Sequence, residues 1–149
     1  VQISPAEMLR YMGKISGPLL DRIDLHIEVT PVPFKKLSQT RGGEKSLDIR
    51  NRVVKARQRQ TKRFKYHQGL FHNAQMQSKD LREFCSLPDD ALTLLQQAME
   101  KLRLSARAYD RILKVARTIA DLEEQDGILT THIAEAIQYR SLDREGWLG

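Results

Sequence analysis

The sequence predicts a mainly α-helical chain in which a short helix-turn-strand segment precedes a group of helices. Three observations predict it. From Leu47 onward, apolar residues recur at three- and four-residue spacing, the period of a helix with one buried face. Serine, threonine and proline stand where helices should start, and glycine where some should stop. A single stretch, "DLHIEVT" from Asp24 to Thr30, alternates apolar and polar residues with a β-branched bias, the period of a strand.

In "SPAE", Ser4 is set to cap a helix, with Pro5 at its first position and Glu7 three residues past the cap. That helix should end near Tyr11 or Met12, before Gly13. Gly17 and Pro18 open a turn or a single helical turn. The strand then puts Leu25, Ile27 and Val29 on one face and Asp24, His26, Glu28 and Thr30 on the other, and Pro31 and Pro33 stop it. "KKLSQTRGGEKS" is polar, holds Gly42 and Gly43, and reads as a linker.

A long basic helix is expected from Leu47 to about Tyr66, with a thin apolar stripe of Ile49, Val53, Ala56 and Phe64. After the polar loop "HQGLFHNAQMQ", Ser78 is expected to cap a short helix holding Leu81, Phe84 and Cys85. Ser86, with Pro88 soon after, should cap the next, which carries Leu92, Leu95, Met99 and Leu102 on one face. Ser105 should cap "ARAYDRILKVARTIADL", whose stripe is Tyr109, Ile112, Leu113, Ala116, Ile119 and Ala120. Gly127 breaks the chain, and Thr130 should cap a last helix with Ile133, Ala134 and Ile137 inward.

A chain of 149 residues suits one ordinary domain, or a small domain plus part of another. No apolar run approaches the ~20 residues of a membrane span, and the N-terminus lacks the basic and apolar regions of a signal peptide. The chain starts without methionine and almost directly in a helix signal, as expected of a piece of a longer protein. Its one cysteine, Cys85, excludes an internal disulfide and fits a reducing compartment, the cytoplasm. On a helical apolar position, Cys85 reads as a small buried hydrophobe.

The net charge of +6 is unevenly placed. Residues 45–65 hold nine lysines and arginines against Asp48, a local +8, so the rest of the chain sums to −2. Within that run Arg52, Lys55, Arg59 and Lys62 share a helix face. They could contact nucleic-acid phosphates, lie solvated, or meet an acidic neighbour. Aromatic residues that would stack on single-stranded bases are few nearby: Phe64, Tyr66 and Phe71.

Self-contained catalytic motifs are absent. There is no phosphate-binding loop, dinucleotide fingerprint or nucleophile elbow. His26, His67, His72 and His132 are scattered without cysteine partners, so no metal site is expected. Asp89 and Asp90 suit the positive end of a helix, and "DLEEQD" reads as a solvated helix end. One arginine is oddly set: Arg22, between Asp21 and Asp24 in a turn before the strand. Its planar, permanent charge suits phosphate oxygens. An outward-aimed arginine can also serve a neighbouring subunit's phosphoryl transfer. The alternative is a surface ion pair with Asp21 or Asp24.

"RYMGKISGPLLDRIDLHIEV" resembles the end of the ATPase core in the ComM/YifB family of bacterial magnesium-chelatase-like AAA+ proteins. "LRLSARAYDRILKVARTIADLE", followed by "HIAEAIQYRSLDR", resembles that family's C-terminal domain. The resemblance covers nearly the whole chain, in order and in spacing. The minichromosome-maintenance helicases carry a similar proline-leucine-leucine-x-arginine element before a strand, where the arginine acts in trans. The resemblance implies that Arg22 is an arginine finger and that Arg107, early in its helix, is the sensor-2 arginine contacting nucleotide phosphates. Arg111, one turn on, is the runner-up; the alternative for either is a solvated charge.

It implies residues 1–34 as the C-terminal end of an α/β ATPase core, 35–45 as linker and 46–149 as the helical lid. The phosphate loop, metal-binding acids and sensor-1 strand should then lie upstream of Val1. The full-length protein should use ATP and Mg2+ in a homo-oligomeric ring, a hexamer. This chain alone should hold neither ligand nor hydrolyse ATP. The function implied is a DNA-remodelling motor acting in branch migration or transformation. A chelatase-type module remodelling a protein partner without DNA contact is the alternative, and a free-standing helical DNA-binding domain is a third reading.

Overall fold

The computed structural model describes residues 4–20, 22–27, 29, 31 and 43–140. Within them the chain forms α1 (Pro5–Met12), α2 (Gly17–Leu20), α3 (Ser46–Arg63), a 3₁₀ turn (Asn73–Gln75), α4 (Ser78–Phe84), α5 (Asp89–Lys101), α6 (Ala106–Leu122) and α7 (Thr130–Gln138). No strand forms among the described residues. The mainly helical class expected from the sequence is therefore observed. No helix is long and apolar enough to cross a membrane.

Helix α6 organises the rest. Ile112, Leu113, Ala116, Ile119 and Ala120 fall on one stripe and are all buried. Ala108, Ala116 and Ala120 are small enough to let neighbouring helices approach closely. Against this stripe pack α7, α3, the 3₁₀ turn and α4, while α5 packs on α7. Met76, Leu81, Ala91, Leu95, Ile128 and Ile133 complete the core. Cys85 is buried there, and burial pushes its thiol up to about 12.

Several helix starts follow the expected chemistry. Ser4 and Glu7 form a reciprocal box: the Ser4 N–H donates to the Glu7 carboxylate at 2.9 Å, and the Glu7 N–H to Ser4 Oγ at 3.3 Å. Ser105 Oγ accepts from the Ala108 N–H at 3.1 Å. Three expected caps do not form. Ser78 is the first residue of α4 rather than its cap; the Gln77 N–H before it donates to the Asp80 carboxylate at 2.7 Å. Thr130 likewise lies inside α7, and His132 Nδ1 accepts from the Leu129 N–H at 2.9 Å. In both, a side chain reaches back from the first turn and satisfies the entering amide, so no hydroxyl is needed ahead of it. Pro88, not Ser86, immediately precedes α5.

Helices α5 and α6 end alike. The Leu104 N–H reaches Met99 O at 3.0 Å and the Gln125 N–H reaches Ala120 O at 2.8 Å, across Arg103 (φ 48°) and Glu124 (φ 59°). These are Schellman turns with side-chain residues where glycine is usual. The chain therefore turns out of α6 at Glu124, ahead of Gly127.

The expected strand is the main difference. Residues 24–27 and 29 are not in a ladder, because a strand needs a paired neighbour to take its N–H and C=O groups and the described residues offer none. Instead the segment docks on helices. The His26 N–H donates to Tyr139 O at 2.7 Å, Arg140 Nη1 donates to the Ile23 carbonyl, and Asp24 pairs with Arg111. The apolar face of the expected strand is not the buried one: His26 alone among the described residues 22–27 and 29 is buried, while Leu25, Ile27 and Val29 are exposed. Glu28, Thr30 and residues 35–42 of the expected linker lie outside the described residues.

Candidate functional site

Arg22 follows α2 in a turn closed by its own N–H to Leu19 O at 3.0 Å and by the Ile23 N–H to Leu20 O at 3.1 Å. Pro18 presets the start of that turn. The Arg22 side chain is exposed. Of the two carboxylates that could have paired with it, Asp24 is turned to Arg111 on α6; Asp21 lies outside the described residues. His26 Nε2 lies 3.3 Å from Leu20 O, linking the segment to the end of α2.

Arg107 is the second residue of α6 and is exposed at a helix start whose free N–H groups favour anions. Arg111 is one turn further and half-buried, its guanidinium committed to Asp24. The structure thus separates the two candidate arginines of α6: Arg107 is exposed at the helix start, and Arg111 ties α6 to the segment carrying Arg22.

The basic face of α3 is divided differently from its sequence. Arg52 pairs with Glu44, which the neighbouring guanidinium holds below the usual carboxylate range. Lys55 pairs with Glu124 at 2.8 Å, and Arg59 pairs with Asp126. Lys62 is exposed. Three of the four cations on this face are therefore matched by acids of the same chain. The reading of "DLEEQD" as a solvated end holds for Glu123, Glu124 and Asp126 but fails for Asp121, which is fully buried.

Asp121 gathers a polar network that sequence reasoning missed. It accepts from Arg63 Nη1 and Asn73 Nδ2, each at 2.8 Å, and lies 3.3 Å from the Arg117 guanidinium. Arg117 donates onward to the carbonyls of Gln125 and Asp126, both at 2.8 Å. Burial pushes the Arg117 guanidinium below its ordinary value, and Asp121 opposes that shift. The signal was available: Arg117 and Asp121 stand at i and i+4 beside the apolar stripe of α6, where unpaired charges would be costly. No group of three or more histidine, cysteine or acidic residues among the described residues could hold a metal.

A helical unit built on a central α6, carrying a docked N-terminal segment with an outward arginine, is the class these features define. Residues 43–140 match the family described as magnesium chelatase, subunit ChlI C-terminal, and residues 1–37 match magnesium chelatase, subunit ChlI. The chain belongs to the magnesium chelatase ChlI C-terminal family. It is 44% identical over 142 residues to competence protein ComM of Haemophilus influenzae and 43% identical over the same length to the protein YifB of Escherichia coli. Each alignment covers 95% of this chain and 27% of the relative. An uncharacterized protein of Mycobacterium tuberculosis is 34% identical over 131 residues, 88% of this chain and 26% of that protein. The chain therefore spans about a quarter of the length of these relatives. The resemblance carried by "GPLLDRIDL" and "LRLSARAYDRILKVARTIADLE" is borne out at the level of the family.

Proposed function

We propose that this chain is the finger-and-lid portion of a ring-forming AAA+ ATPase that remodels DNA, using ATP and Mg2+ in the full-length protein. Arg22 reaches the phosphates bound by the next subunit, and Arg107 contacts nucleotide phosphates as the sensor-2 group. One observation supports this reading: Asp24, two residues on, is taken up by Arg111, and Arg22 is exposed. Arg111 is correspondingly the weaker choice for a phosphate contact. ATP supplies the phosphoryl group to be transferred; this chain's part is to place positive charge where negative charge develops. No residue of the chain is assigned to Mg2+. The name of the Haemophilus relative, a competence protein, supports a DNA substrate.

The second reading, a chelatase-type module that remodels a protein without touching DNA, is favoured by the ion pairs of Arg52, Lys55 and Arg59, which neutralise much of one α3 face. A pull-down of the full-length protein on DNA with and without ATP separates the two.

The test of Arg22 mixes two inactive full-length variants, Arg22→Ala and a phosphate-loop lysine variant. A finger is worth ~10³–10⁵ in turnover, so Arg22→Ala alone should cripple hydrolysis and leave nucleotide binding near normal. In mixed rings some interfaces join an intact finger to an intact phosphate loop, and activity should partly return. Absence of recovery in rings shown to be mixed would remove the trans role.

A further inference from the structure

The C-terminal end of α3 and the loop after it border an open groove of about 900 Å³, lined in part by Arg57, Phe64, Lys65, Tyr66, Phe71 and His72. Two properties distinguish it from the face of α3 that carries Arg52, Lys55 and Arg59. Its lining holds no carboxylate, and Arg57 and Lys65 are both exposed. At its edge His67 Nε2 lies 3.5 Å from Glu83. It also presents two large rings to solvent: Tyr66 is 85% exposed and Phe71 63%.

These rings stand on a fixed backbone. Phe64 is buried edge-on against Phe84, ring centres 5.3 Å apart, which leaves Tyr66 pointing out two residues later. Gly69 adopts φ +78°, a turn that brings Leu70 into the core and sends Phe71 outward. The Phe71 and His72 N–H groups both donate to Gln75 Oε1, at 2.8 and 3.0 Å. Asn73 is buried, with its N–H on Gln60 Oε1 at 3.1 Å and its amide on Thr118 and Asp121. Lys65 Nζ lies 5.3 Å from the Tyr66 ring centre. Loops that expose aromatic rings on a rigid frame, interleaved with cations, are suited to unstacked bases and their phosphates.

We propose that this groove binds single-stranded nucleic acid, with bases stacking on Tyr66 and Phe71 and phosphates meeting Arg57 and Lys65. A duplex keeps its base faces inside and would leave both rings unused. An acidic peptide would satisfy the cations but not the rings. The inference deepens the DNA reading above, and rests on it for the setting in which a strand is met. It moves the contact from the face of Arg52, Lys55 and Arg59 to the opposite flank of α3.

The test titrates the 149-residue chain into a fluorescein-labelled oligothymidine at low salt and reads anisotropy. Tyr66→Ala combined with Phe71→Ala should weaken binding at least about tenfold. Tyr66→Phe combined with Phe71→Tyr keeps both rings and should bind like the parent. Arg57→Ala with Lys65→Ala should lower the slope of log affinity against log salt by about 0.7 for each phosphate left without its cation. Arg52→Ala with Lys55→Ala should change neither quantity. The proposal is overturned by absence of binding, by binding indifferent to the alanine pair, by equal preference for a duplex, or by ring-dependent self-association in place of strand binding. Failure here leaves the finger reading standing, since turnover in mixed rings reads Arg22 alone.

Discussion

The Asp121 carboxylate on α6 accepts from both terminal guanidinium nitrogens of Arg63 at the end of α3, with no part of the aspartate reaching solvent. The pair joins the two helices that enclose the 3₁₀ turn, and Asn73 of that turn bonds both residues, accepting from Arg63 at 2.9 Å. Asp121→Ala would strand Arg63 and the buried Arg117 without their anion. Removing one partner of a buried pair costs about 3–5 kcal/mol, a large share of a domain's stability. The urea midpoint should fall accordingly with an unchanged m-value, and Asp121→Asn, which keeps part of the hydrogen bonding, should fall less.

The Asp24–Arg111 pair is of another kind. Both side chains are partly solvated, so the pair contributes only about 0.2–1 kcal/mol. Asp24→Ala should barely move the global melting transition. It should instead speed hydrogen exchange across residues 22–27, with the His26 amide losing protection first, while residues 46–140 exchange as before. Equal acceleration in α6 and α7 would show that the segment is part of the global fold rather than a docked strap.

Much of this was legible in the sequence, and the failures have physical reasons. The stripe of α6 marked which of its residues enter the core, because a 3.6-residue period leaves one choice of face. On α7 Ile133 and Ile137 are buried as expected, but Ala136 rather than Ala134 joins them, and Leu92 of the expected α5 stripe is exposed. The Ser4–Glu7 box and the Ser105 cap were readable because donor and acceptor lie within one turn. The α3 stripe was only half right: Ala56 and Phe64 are buried, but Ile49 and Val53 are exposed, since a stripe does not say how far along its length a partner extends. The facing of residues 24–27 was not local either. It depends on the Tyr139 carbonyl and the Arg140 guanidinium, at the far end of the described chain. The matching of Lys55 and Arg59 to Glu124 and Asp126 has the same origin, so a charge count over residues 45–65 overstated the free positive field.

Glu124 sits in the left-handed region at the end of α6, which costs a side-chain residue about 1–2 kcal/mol. Its ion pair with Lys55 is exposed on both sides and contributes little. The strain outweighs the pair. Glu124→Gly should therefore raise stability by about 0.5–1 kcal/mol, seen as a higher urea midpoint. A loss would assign the Lys55 contact more weight than its exposure allows.

Cys85 should be inert in the folded chain. With its thiol pushed up to about 12, almost no thiolate exists near neutrality. A disulfide reagent at pH 8 should label it only as urea unfolds the protein, with the same midpoint as circular dichroism. The linkage has a definite sign. The unfolded thiol ionises near ~8.5, so the contribution of Cys85 to stability is complete below that pH and is lost as pH rises toward about 12. Cys85→Ala should remove that part of the alkaline slope.

The anchors of the N-terminal segment fall at Ile23, Asp24 and His26, within four residues, and end on α6, Arg140 and Tyr139. Such spacing leaves no slack. A rotation of α6 would drag the turn bearing Arg22 with it, and a push on Arg22 would be felt at the start of α6. The segment is thus tied to the helical unit by three closely spaced contacts. On the proposed reading, in which Arg22 serves a neighbouring subunit, a tilt of the helical unit would then shift Arg22 and Arg107 together.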